Sequence, residues 1–424
     1  MTKQSRSSFS ELNCGYFVKA TNSDEKFLNH IKSSQVSFWI DSSGGPKNLC
    51  DKSFYGANPK YYIYGSLNEA YLHECDSGAI TYASTNCFDF IEEKINEEKQ
   101  NKDGLFVGYF SYDLSDFFFA YFNEYKQCHS RESGNPELLT EIPGFPIKLG
   151  MTFKNKHLLN SNMTDSEYLE KVKQIKDEIK AGNVYQANLS REYSLEVKDV
   201  NEVELYLKLR EVSPNPYGCF FKTPFLTILS SSPEEFLYID PINSNPRCIR
   251  TRPIKGTLSK EVFDIDPKNK AENIMIADLE RNDLGRICEY GSIKVDRLLE
   301  IESYEHLNHV VSTVEGKLRS NISLKEIFNA VFPGGSITGA PKIAAMKIIN
   351  DIEPTSRGAY TGSFGYIKTD GTMNFNVLIR TIFLKKERLS FNIGGGIVAD
   401  SNPEDELEEI KLKAKGIMSA LGVN

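Results

Sequence analysis

The sequence has no excess of positive charge and no long apolar run. Its 50 lysines and arginines are outnumbered by 58 aspartates and glutamates, and the net charge is −8. Proteins that bind nucleic acid or an anionic membrane surface usually carry a basic patch, and a membrane-spanning helix needs about 20 consecutive apolar residues. We therefore expect neither nucleic acid nor a membrane as a partner.

Cysteine and histidine are also too sparse to indicate a metal site. The eight cysteines are scattered without a Cys-x-x-Cys pair, and among the six histidines only His306 and His309 stand close together. Catalytic zinc usually has three protein ligands, and no third candidate lies near this pair. Because the N-terminal segment Met1–Ser8 is polar and lacks the apolar core of a signal peptide, we expect a cytoplasmic protein with reduced thiols.

The first part of the chain, residues 1–150, has the pattern of a β-rich region. Aromatic and β-branched runs alternate with polar turns at Val36–Asp41, Tyr61–Tyr64 and Leu105–Tyr112. The segment Cys128–Pro136 is polar and lacks periodicity, so we predict an exposed loop that is dispensable for the chemistry. With 424 residues and 40% hydrophobic content the chain can bury a large core, and we expect this region to pack on the remainder.

The remainder, residues 164–422, mixes helical and strand patterns in irregular order. Apolar residues at three- and four-residue spacing predict a helix over Ser166–Ala181, and further helices begin at Asp266-Pro267 and Asn402-Pro403, where a capping residue precedes a proline. Because no strand–helix unit repeats, we predict an α+β fold with antiparallel sheets. The predicted strands are Tyr185–Tyr193, Leu226–Ser231, Phe364–Lys368, Asn374–Phe383 and Leu389–Ile393.

Three glutamates on two predicted helices form a candidate cation site. In the last helix, Glu406 and Glu409 lie three residues apart at the border of the apolar stripe, with Lys413 one turn further on. Glu272 lies on the helix that follows Pro267. Carboxylate oxygens suit Mg²⁺, but an acidic first turn that complements the helix dipole also explains the pattern of the last helix.

Two glycine-rich segments are candidate binding loops. Pro333–Lys342 is predicted to enter a helix that begins at Pro341, where free backbone N–H groups would suit a carboxylate or phosphate. A nucleotide site is not expected, because Ala340-Pro341 stands where the lysine of a P-loop should follow directly. Gly394–Gly396 follows a predicted strand and permits either close approach by a ligand or a tight turn.

Lys255 and Glu234 are candidate reactive groups whose local sequence leaves two interpretations open. Lys255 lies in the segment Pro253–Thr257, where a lysine is either an exposed turn residue or an amine with a lowered pKa. Glu234 follows a predicted strand and is a candidate general acid.

Taken together, these segments resemble the chorismate-utilising enzymes, which include anthranilate synthase large subunits, aminodeoxychorismate synthases, and isochorismate and salicylate synthases. The resemblance covers Thr164–Gly422, and it includes Gly108–Asp113 in the first region. The segments that carry it are Val184–Leu189, Ser232–Glu234, Pro253–Thr257, Asp278–Asp283, His309–Ser312, Pro333–Lys342, Ile379–Thr381 and Gly394–Asp400.

The resemblance implies an anthranilate-synthase-like fold, in which two large sheets form the core with helices outside and the active site lies between the sheets. Residues 164–422 would be the chorismate-binding catalytic domain. Lys255 and Glu234 would be catalytic, and Mg²⁺ would be held by Glu272, Glu406 and Glu409. The substrate-binding residues would be Thr257, His309, Tyr366, Arg380, Gly395 and Lys413.

Two positions indicate which reaction of the family to expect. Isochorismate and salicylate synthases carry a water-activating lysine where Gln186 stands, so ammonia is the expected nucleophile. Anthranilate synthases typically have alanine where Lys255 stands, whereas Pro-Ile-Lys-Gly-Thr is typical of aminodeoxychorismate synthases. The resemblance therefore implies amination of chorismate at C4, which gives 4-amino-4-deoxychorismate for 4-aminobenzoate and folate biosynthesis. In the implied mechanism Lys255 attacks C2, Glu234 assists departure of the C4 hydroxyl, and ammonia then expels the lysine.

The resemblance also bears on partners and alternatives. The chain has no segment that resembles a glutamine amidotransferase, so a separate glutaminase subunit is the expected source of ammonia. The family's Leu-Glu-Ser segment for tryptophan binding is not found, and Val36–Ser42 stands only in a loosely similar context. Anthranilate synthase component I and a non-catalytic chorismate-binding protein stay open as alternatives.

Overall fold

The computed structural model describes residues 22–42, 44–46, 49, 52–129, 159–304 and 307–423. Within these residues the chain forms two large sheets with flanking helices, none of which is both long and apolar enough to cross a membrane. The helices are α1 (Asn22–Ser33), α2 (Cys87–Glu97), α3 (Asp165–Lys180), α4 (Glu202–Val212), α5 (Pro267–Gly285), α6 (Leu324–Val331), α7 (Lys342–Ile352) and α8 (Pro403–Leu421).

Sheet one has 10 strands and sheet two has 12, and neighbouring strands in both are antiparallel. The order in sheet one is β18 (Gly339–Ala340), β10 (Gln186–Glu196), β22 (Arg388–Ile397), β21 (Thr381–Lys385), β12 (Thr227–Ser232), β11 (Tyr217–Lys222), β1 (Ser37–Asp41), β2 (Lys52–Ala57) and β8 (Lys126–His129), with β9 (Asn160–Ser161) beside β10. The order in sheet two is β15 (Ile254–Ser259), β17 (Leu307–Lys317), β14 (Cys248–Arg252), β13 (Glu235–Ile239), β20 (Met373–Asn376), β19 (Ser363–Lys368), β6 (Leu105–Phe110), β7 (Phe117–Phe122), β3 (Tyr61–Ser66), β4 (Glu69–Glu74) and β5 (Ile80–Ala83), with β16 (Lys294–Ser303) beside β17.

The predicted α+β class with large antiparallel sheets is confirmed. The predicted helix Ser166–Ala181 is α3, which begins one residue earlier. Helices α5 and α8 begin at Pro267 and Pro403, and the side chains of Asp266 and Asn402 cap them as predicted. These boundaries were predictable because capping is a local interaction.

Two local predictions were wrong. Helix α7 begins at Lys342, because Pro341 has an extended backbone (φ −65°, ψ 142°) and occupies the cap position. The predicted strand Asn374–Phe383 is two strands, β20 and β21, which belong to different sheets. The predicted loop Cys128–Pro136 overlaps the end of β8, and its later residues lie outside the described part of the chain. The predicted boundary between the N-terminal region and the catalytic domain, at residues 150–164, also stays a prediction, because much of that segment lies outside the described residues.

Three apolar clusters explain the layers. Phe38 of β1 and Val107 of β6 belong to a cluster that joins the two sheets, whereas Trp39, the next residue, packs edge-on against Tyr206 of α4 on the outer face of sheet one. Phe106 belongs to a third cluster, which joins sheet two to α2, α5 and α6. Because successive strand residues point to opposite faces, strands covered on both sides are almost continuously apolar, as β6 and β7 are.

Two of the places where the chain crosses between the sheets lie next to each other. β12 of sheet one is followed by β13 of sheet two, with Glu234 at the crossing, and β20 of sheet two is followed by β21 of sheet one, with Arg380 at the crossing. The backbone N–H of Val377 donates to the carbonyl of Glu234 at 3.1 Å, which joins the two crossings. The strand predicted over Asn374–Phe383 is broken because the chain leaves one sheet and enters the other there.

A buried ion pair supports the strands next to these crossings. Arg357 donates to both carboxylate oxygens of Glu353 at 2.8 and 2.9 Å, and the side chains are only 2% and 4% exposed. The same guanidinium donates to the carbonyls of Ile337 and Asn188 at 2.9 and 3.0 Å. It therefore links β10 to the turn Gly335–Ile337.

We expect Glu353→Ala to lower the free energy of unfolding by about 3–5 kcal/mol, because it leaves a buried guanidinium without its counter-charge. The control is Asp177→Ala, which breaks an exposed pair with Lys180 and should change stability by at most about 1 kcal/mol. Denaturant unfolding followed by the fluorescence of Trp39, the single tryptophan, measures both. Equal effects of the two substitutions would contradict the role given to Arg357.

Candidate active site

A cavity of about 540 Å³ is lined by residues from both sheets, both crossings and helices α5 and α8. Sheet one contributes Gly394–Gly396 of β22, and sheet two contributes Lys255 of β15 and His309 of β17. So many ionisable groups around one concave space indicate a functional site for a charged ligand. The charged lining residues are Lys255, Lys268, Arg380 and Lys413, and Glu234, Glu272, Glu406 and Glu409.

Lys255 reaches the cavity from an irregular part of β15. The pairing of β15 with β17 shifts around Gly256, which has a φ of +99° that glycine adopts readily. Burial lowers the pKa of the Lys255 amine, while the carboxylates of Glu272 and Glu234 act in the opposite direction. More of this amine is therefore unprotonated and nucleophilic at neutral pH than for an exposed lysine.

Gly396 leaves the space that the amide of Gln186 occupies beside the amine of Lys255. A Cβ atom at this position would lie 3.4 Å from Nζ of Lys255 and only 2.1 Å from Nε2 of Gln186. Gln186 donates from the same Nε2 to Oε2 of Glu272 at 3.1 Å. The bare backbone of β22 therefore allows an amine, an amide and a carboxylate to pack together.

Glu234 is a buried acid at the first crossing. The residue is 4% exposed, and burial raises its pKa to about 7, against the effects of a hydrogen bond from Oγ of Ser336 and of Lys255. A substantial fraction of the side chain is therefore protonated at neutral pH and able to donate a proton. Of the loop Pro333–Lys342, Ser336 and Ile337 line the cavity, whereas the start of α7, favoured from the sequence as an anion site, does not.

Arg380 lies at the second crossing and pairs with no carboxylate among the described residues. Its backbone has a φ of +52°, which is unfavourable for a residue with a Cβ atom. The N–H of Ser231 donates to its carbonyl at 3.1 Å and helps to hold this conformation. A guanidinium that lines a cavity without an ion-pair partner is well suited to bind a carboxylate through two hydrogen bonds.

His309 is buried and neutral. Burial lowers its pKa well below the usual value, and the charge of Arg380 adds to this effect. Its Nδ1 lies 3.2 Å from Oγ1 of Thr257, whereas Nε2 has no hydrogen-bond partner among the described residues. One nitrogen therefore contacts Thr257, while the other is buried without a hydrogen-bond partner among the described residues.

The three glutamates predicted to bind Mg²⁺ all line the cavity, and each contacts a nitrogen donor of the protein. These contacts are Glu406 with Lys268 at 2.9 Å, Glu409 with Lys413 at 2.7 Å and Glu272 with Gln186 at 3.1 Å. Among the described residues, no three His, Cys, Asp or Glu side chains are grouped closely enough to ligate one ion. The predicted Mg²⁺ site is therefore not preformed in this arrangement.

The donor set nevertheless fits a hard divalent cation. It offers three carboxylates around one cavity, which is the ligand chemistry that Mg²⁺ prefers. Gly395 keeps the space beside it open, since a Cβ atom there would lie 3.5 Å from Oε2 of Glu406. To bind all three carboxylates, a cation would have to replace the contacts of Lys268 with Glu406 and of Lys413 with Glu409.

The sequence matches the model of a known enzyme family. The model of the family described as chorismate binding enzyme matches residues 58–419 of the sequence.

The chain belongs to the chorismate binding enzyme family.

Similarity to members of this family does not by itself separate their activities. "Anthranilate synthase component 1" of Synechocystis sp. is 39% identical over 279 residues, which are 62% of this chain and 54% of the relative. "Aminodeoxychorismate synthase component 1" of Bacillus subtilis is 39% identical over 294 residues, which are 67% and 61%. The chain thus spans 54–61% of the length of these curated relatives.

A solved structure with the same fold is anthranilate synthase component I from Streptococcus pneumoniae TIGR4. It has a TM-score of 0.70 and 25% sequence identity, and the superposition covers 87% of this chain and 92% of that one. The anthranilate-synthase-like two-sheet fold implied by the sequence is therefore confirmed.

Tyr366 is the one residue expected in the family's substrate site that lies elsewhere. It is on β19 opposite Val107 of β6, and its ring packs edge-on against Phe54 with the centroids 5.4 Å apart. Both neighbours belong to the apolar core between the sheets, so this position argues against contact with the substrate. Tyr360, which precedes β19, lines the cavity instead.

Ser336, Lys268 and Tyr360 are among the residues that line the cavity and were not singled out from the sequence. A signal existed for Ser336, which belongs to the glycine-rich loop already singled out. A weaker signal existed for Lys268, which stands one helical turn before Glu272 on the same face. No feature of the sequence around Tyr360 indicated a site residue, because its place in the cavity depends on how the chain approaches β19 in the folded protein.

We expect the amine of Lys255 to titrate below 10.5, the usual value for lysine. Glu272→Gln should lower its pKa further, because the carboxylate removed there favours the protonated amine. Competitive labelling with an amine reagent over a range of pH, read by mass spectrometry, measures both, with exposed Lys270 as the reference amine. A midpoint at or above 10.5, or an upward shift in the variant, would contradict the electrostatic description of the site.

Proposed function

We propose that the chain aminates chorismate at C4 with ammonia and forms 4-amino-4-deoxychorismate. The observation that carries this proposal is the amine of Lys255 in the cavity beside the buried acid Glu234. Anthranilate synthases typically have alanine at the position of Lys255. In this chain the segment Pro253–Thr257 resembles that of aminodeoxychorismate synthases, and Lys255 supplies a nucleophile. A nucleophile next to a proton donor suits a displacement in two steps.

The first step forms a bond between Nζ of Lys255 and C2 of chorismate. The ring double bonds shift toward C4, the C4 hydroxyl leaves, and Glu234 supplies the proton that converts it to water. In the second step ammonia attacks C4, the double bonds shift back, and the bond between C2 and Lys255 breaks. The proton lost by the attacking ammonia restores Glu234, so chorismate and ammonia give the product and water.

The remaining lining residues have roles in binding. Arg380 and Lys413, with the backbone at Gly395, would hold the carboxylates of chorismate, and His309 would contact the ring. Thr257 contacts Nδ1 of that histidine. Mg²⁺ bound by Glu272, Glu406 and Glu409 would neutralise and orient a substrate carboxylate.

Gln186 supports ammonia rather than water as the nucleophile. Isochorismate and salicylate synthases, which this segment resembles, have a lysine there that activates water. The amide of Gln186 donates to Glu272 and is not a base at neutral pH.

The source of the ammonia would be a glutaminase subunit. The name "component 1" of the relatives implies a second component, and we expect the same for this chain. The product keeps the enolpyruvyl group of chorismate, so a separate lyase is needed to form 4-aminobenzoate for folate.

Anthranilate synthase activity is the second candidate, in which the amino group enters at C2. The identity to the anthranilate synthase component of Synechocystis sp. is 39%, the same as to the aminodeoxychorismate synthase component of Bacillus subtilis, so overall similarity favours the two activities equally. Lys255 separates the two, because a lysine attached to C2 blocks that carbon and leaves C4 open to ammonia.

The test is to incubate the purified chain with chorismate, Mg²⁺ and ammonium sulfate, with and without aminodeoxychorismate lyase, and to identify the aromatic product by chromatography. We expect 4-aminobenzoate only when the lyase is present. Glu234→Gln should lower the rate by about 100-fold or more, because it removes the proton donor. The formation of 2-aminobenzoate without the lyase would replace this proposal by the second candidate.

A further inference from the structure

The ion pair between Lys268 and Glu406 joins the two helices that carry the predicted metal ligands. Lys268 is near the start of α5, one turn before Glu272, and its Nζ lies 2.9 Å from Oε1 of Glu406 on α8. The same Oε1 accepts a hydrogen bond from Oγ of Ser401 at 2.6 Å. The pair therefore joins α5 to α8, and both of its residues line the cavity.

The two partners of this pair differ in exposure. The side chain of Glu406 is 3% exposed, whereas that of Lys268 is 39% exposed. A buried carboxylate needs a compensating charge nearby. A lysine on a flexible stem with access to water can supply that charge and can also leave.

The contact between Lys413 and Glu409 differs in this respect. The two residues are one turn apart on α8, and both are substantially exposed, at 40% and 48%. Such a pair within one helix contributes little. Of these two pairs, only that of Lys268 with Glu406 combines a buried carboxylate with a bond between two helices.

We propose that Lys268 is the counter-ion of Glu406 in the metal-free chain and is displaced when a divalent cation binds. This inference rests on the Mg²⁺ site of the proposed function. An ammonium group and a cation compete for the same carboxylate, since the lysine already contacts Oε1 of Glu406. Lys268 therefore weakens the affinity for the metal, and metal binding releases Lys268 from α8.

The first test measures cation binding without turnover. Titration calorimetry with Mg²⁺, and with Mn²⁺ followed by electron paramagnetic resonance, should show that Lys268→Met binds about fivefold more tightly or better than the unmodified chain, as expected for removal of a modest ion pair. The control is Lys270→Met, which removes the same charge from an exposed position two residues away on α5 and should bind like the unmodified chain. Equal tightening in both variants would show a long-range charge effect and overturn the inference.

The second test uses the unmodified chain, so it does not depend on the folding of a variant. Brief labelling with an amine reagent should modify Lys268 at least about twofold faster when saturating Mg²⁺ is present, because the pair with Glu406 is broken. Labelling of Lys270 should stay constant. Cation binding without a change at Lys268 would overturn this inference alone, whereas the absence of any cation binding would also overturn the metal site of the proposed function. The product assay tests C4 amination independently of both.

Discussion

Burial shifts the pKa values of Lys255 and Glu234 toward each other within one charged cavity, and the chemistry of the site depends on this effect. Four basic side chains and four carboxylates line the cavity. The proposed substrate carries two carboxylates, so its binding together with one divalent cation would leave this balance unchanged, whereas either ligand alone would add net charge to the cavity. Burial, acting against the neighbouring opposite charges, keeps a fraction of Lys255 unprotonated and a fraction of Glu234 protonated, as a nucleophile and a proton donor at neutral pH require.

The two sheets make this arrangement possible because the chain passes between them beside the cavity. Each of these two crossings supplies one charged residue, Glu234 or Arg380, which lies between two strands and outside both. The surrounding strands are buried on both faces, and the ion pair of Arg357 with Glu353 joins β10 to the turn that carries Ser336. The buried strands on either side thus hold Glu234 and Arg380 in place, although both residues lie on irregular backbone.

Features that depend on nearby residues were predictable from the sequence. Capping and periodicity predicted α3, α5 and α8, and every charged residue that lines the cavity except Lys268 was named from the sequence. Features that depend on tertiary path were not. A β-pattern over Asn374–Phe383 carries no sign that the chain changes sheets, and Tyr366 shares an alternating strand pattern with core residues, so its packing against Phe54 could not be read locally. Lys268 was missed because its partner, Glu406, is distant in sequence.

The formation of a covalent bond between Lys255 and the substrate is the central claim, and intact-mass analysis tests it most directly. The chain would be mixed with chorismate and Mg²⁺ in the absence of ammonia, quenched with acid and weighed by mass spectrometry, and then digested. The account predicts a gain equal to the mass of chorismate less one water, located on the peptide that contains Lys255 and absent from Lys255→Ala. An unmodified Lys255 in a preparation that forms the C4-aminated product once ammonia is added would contradict it.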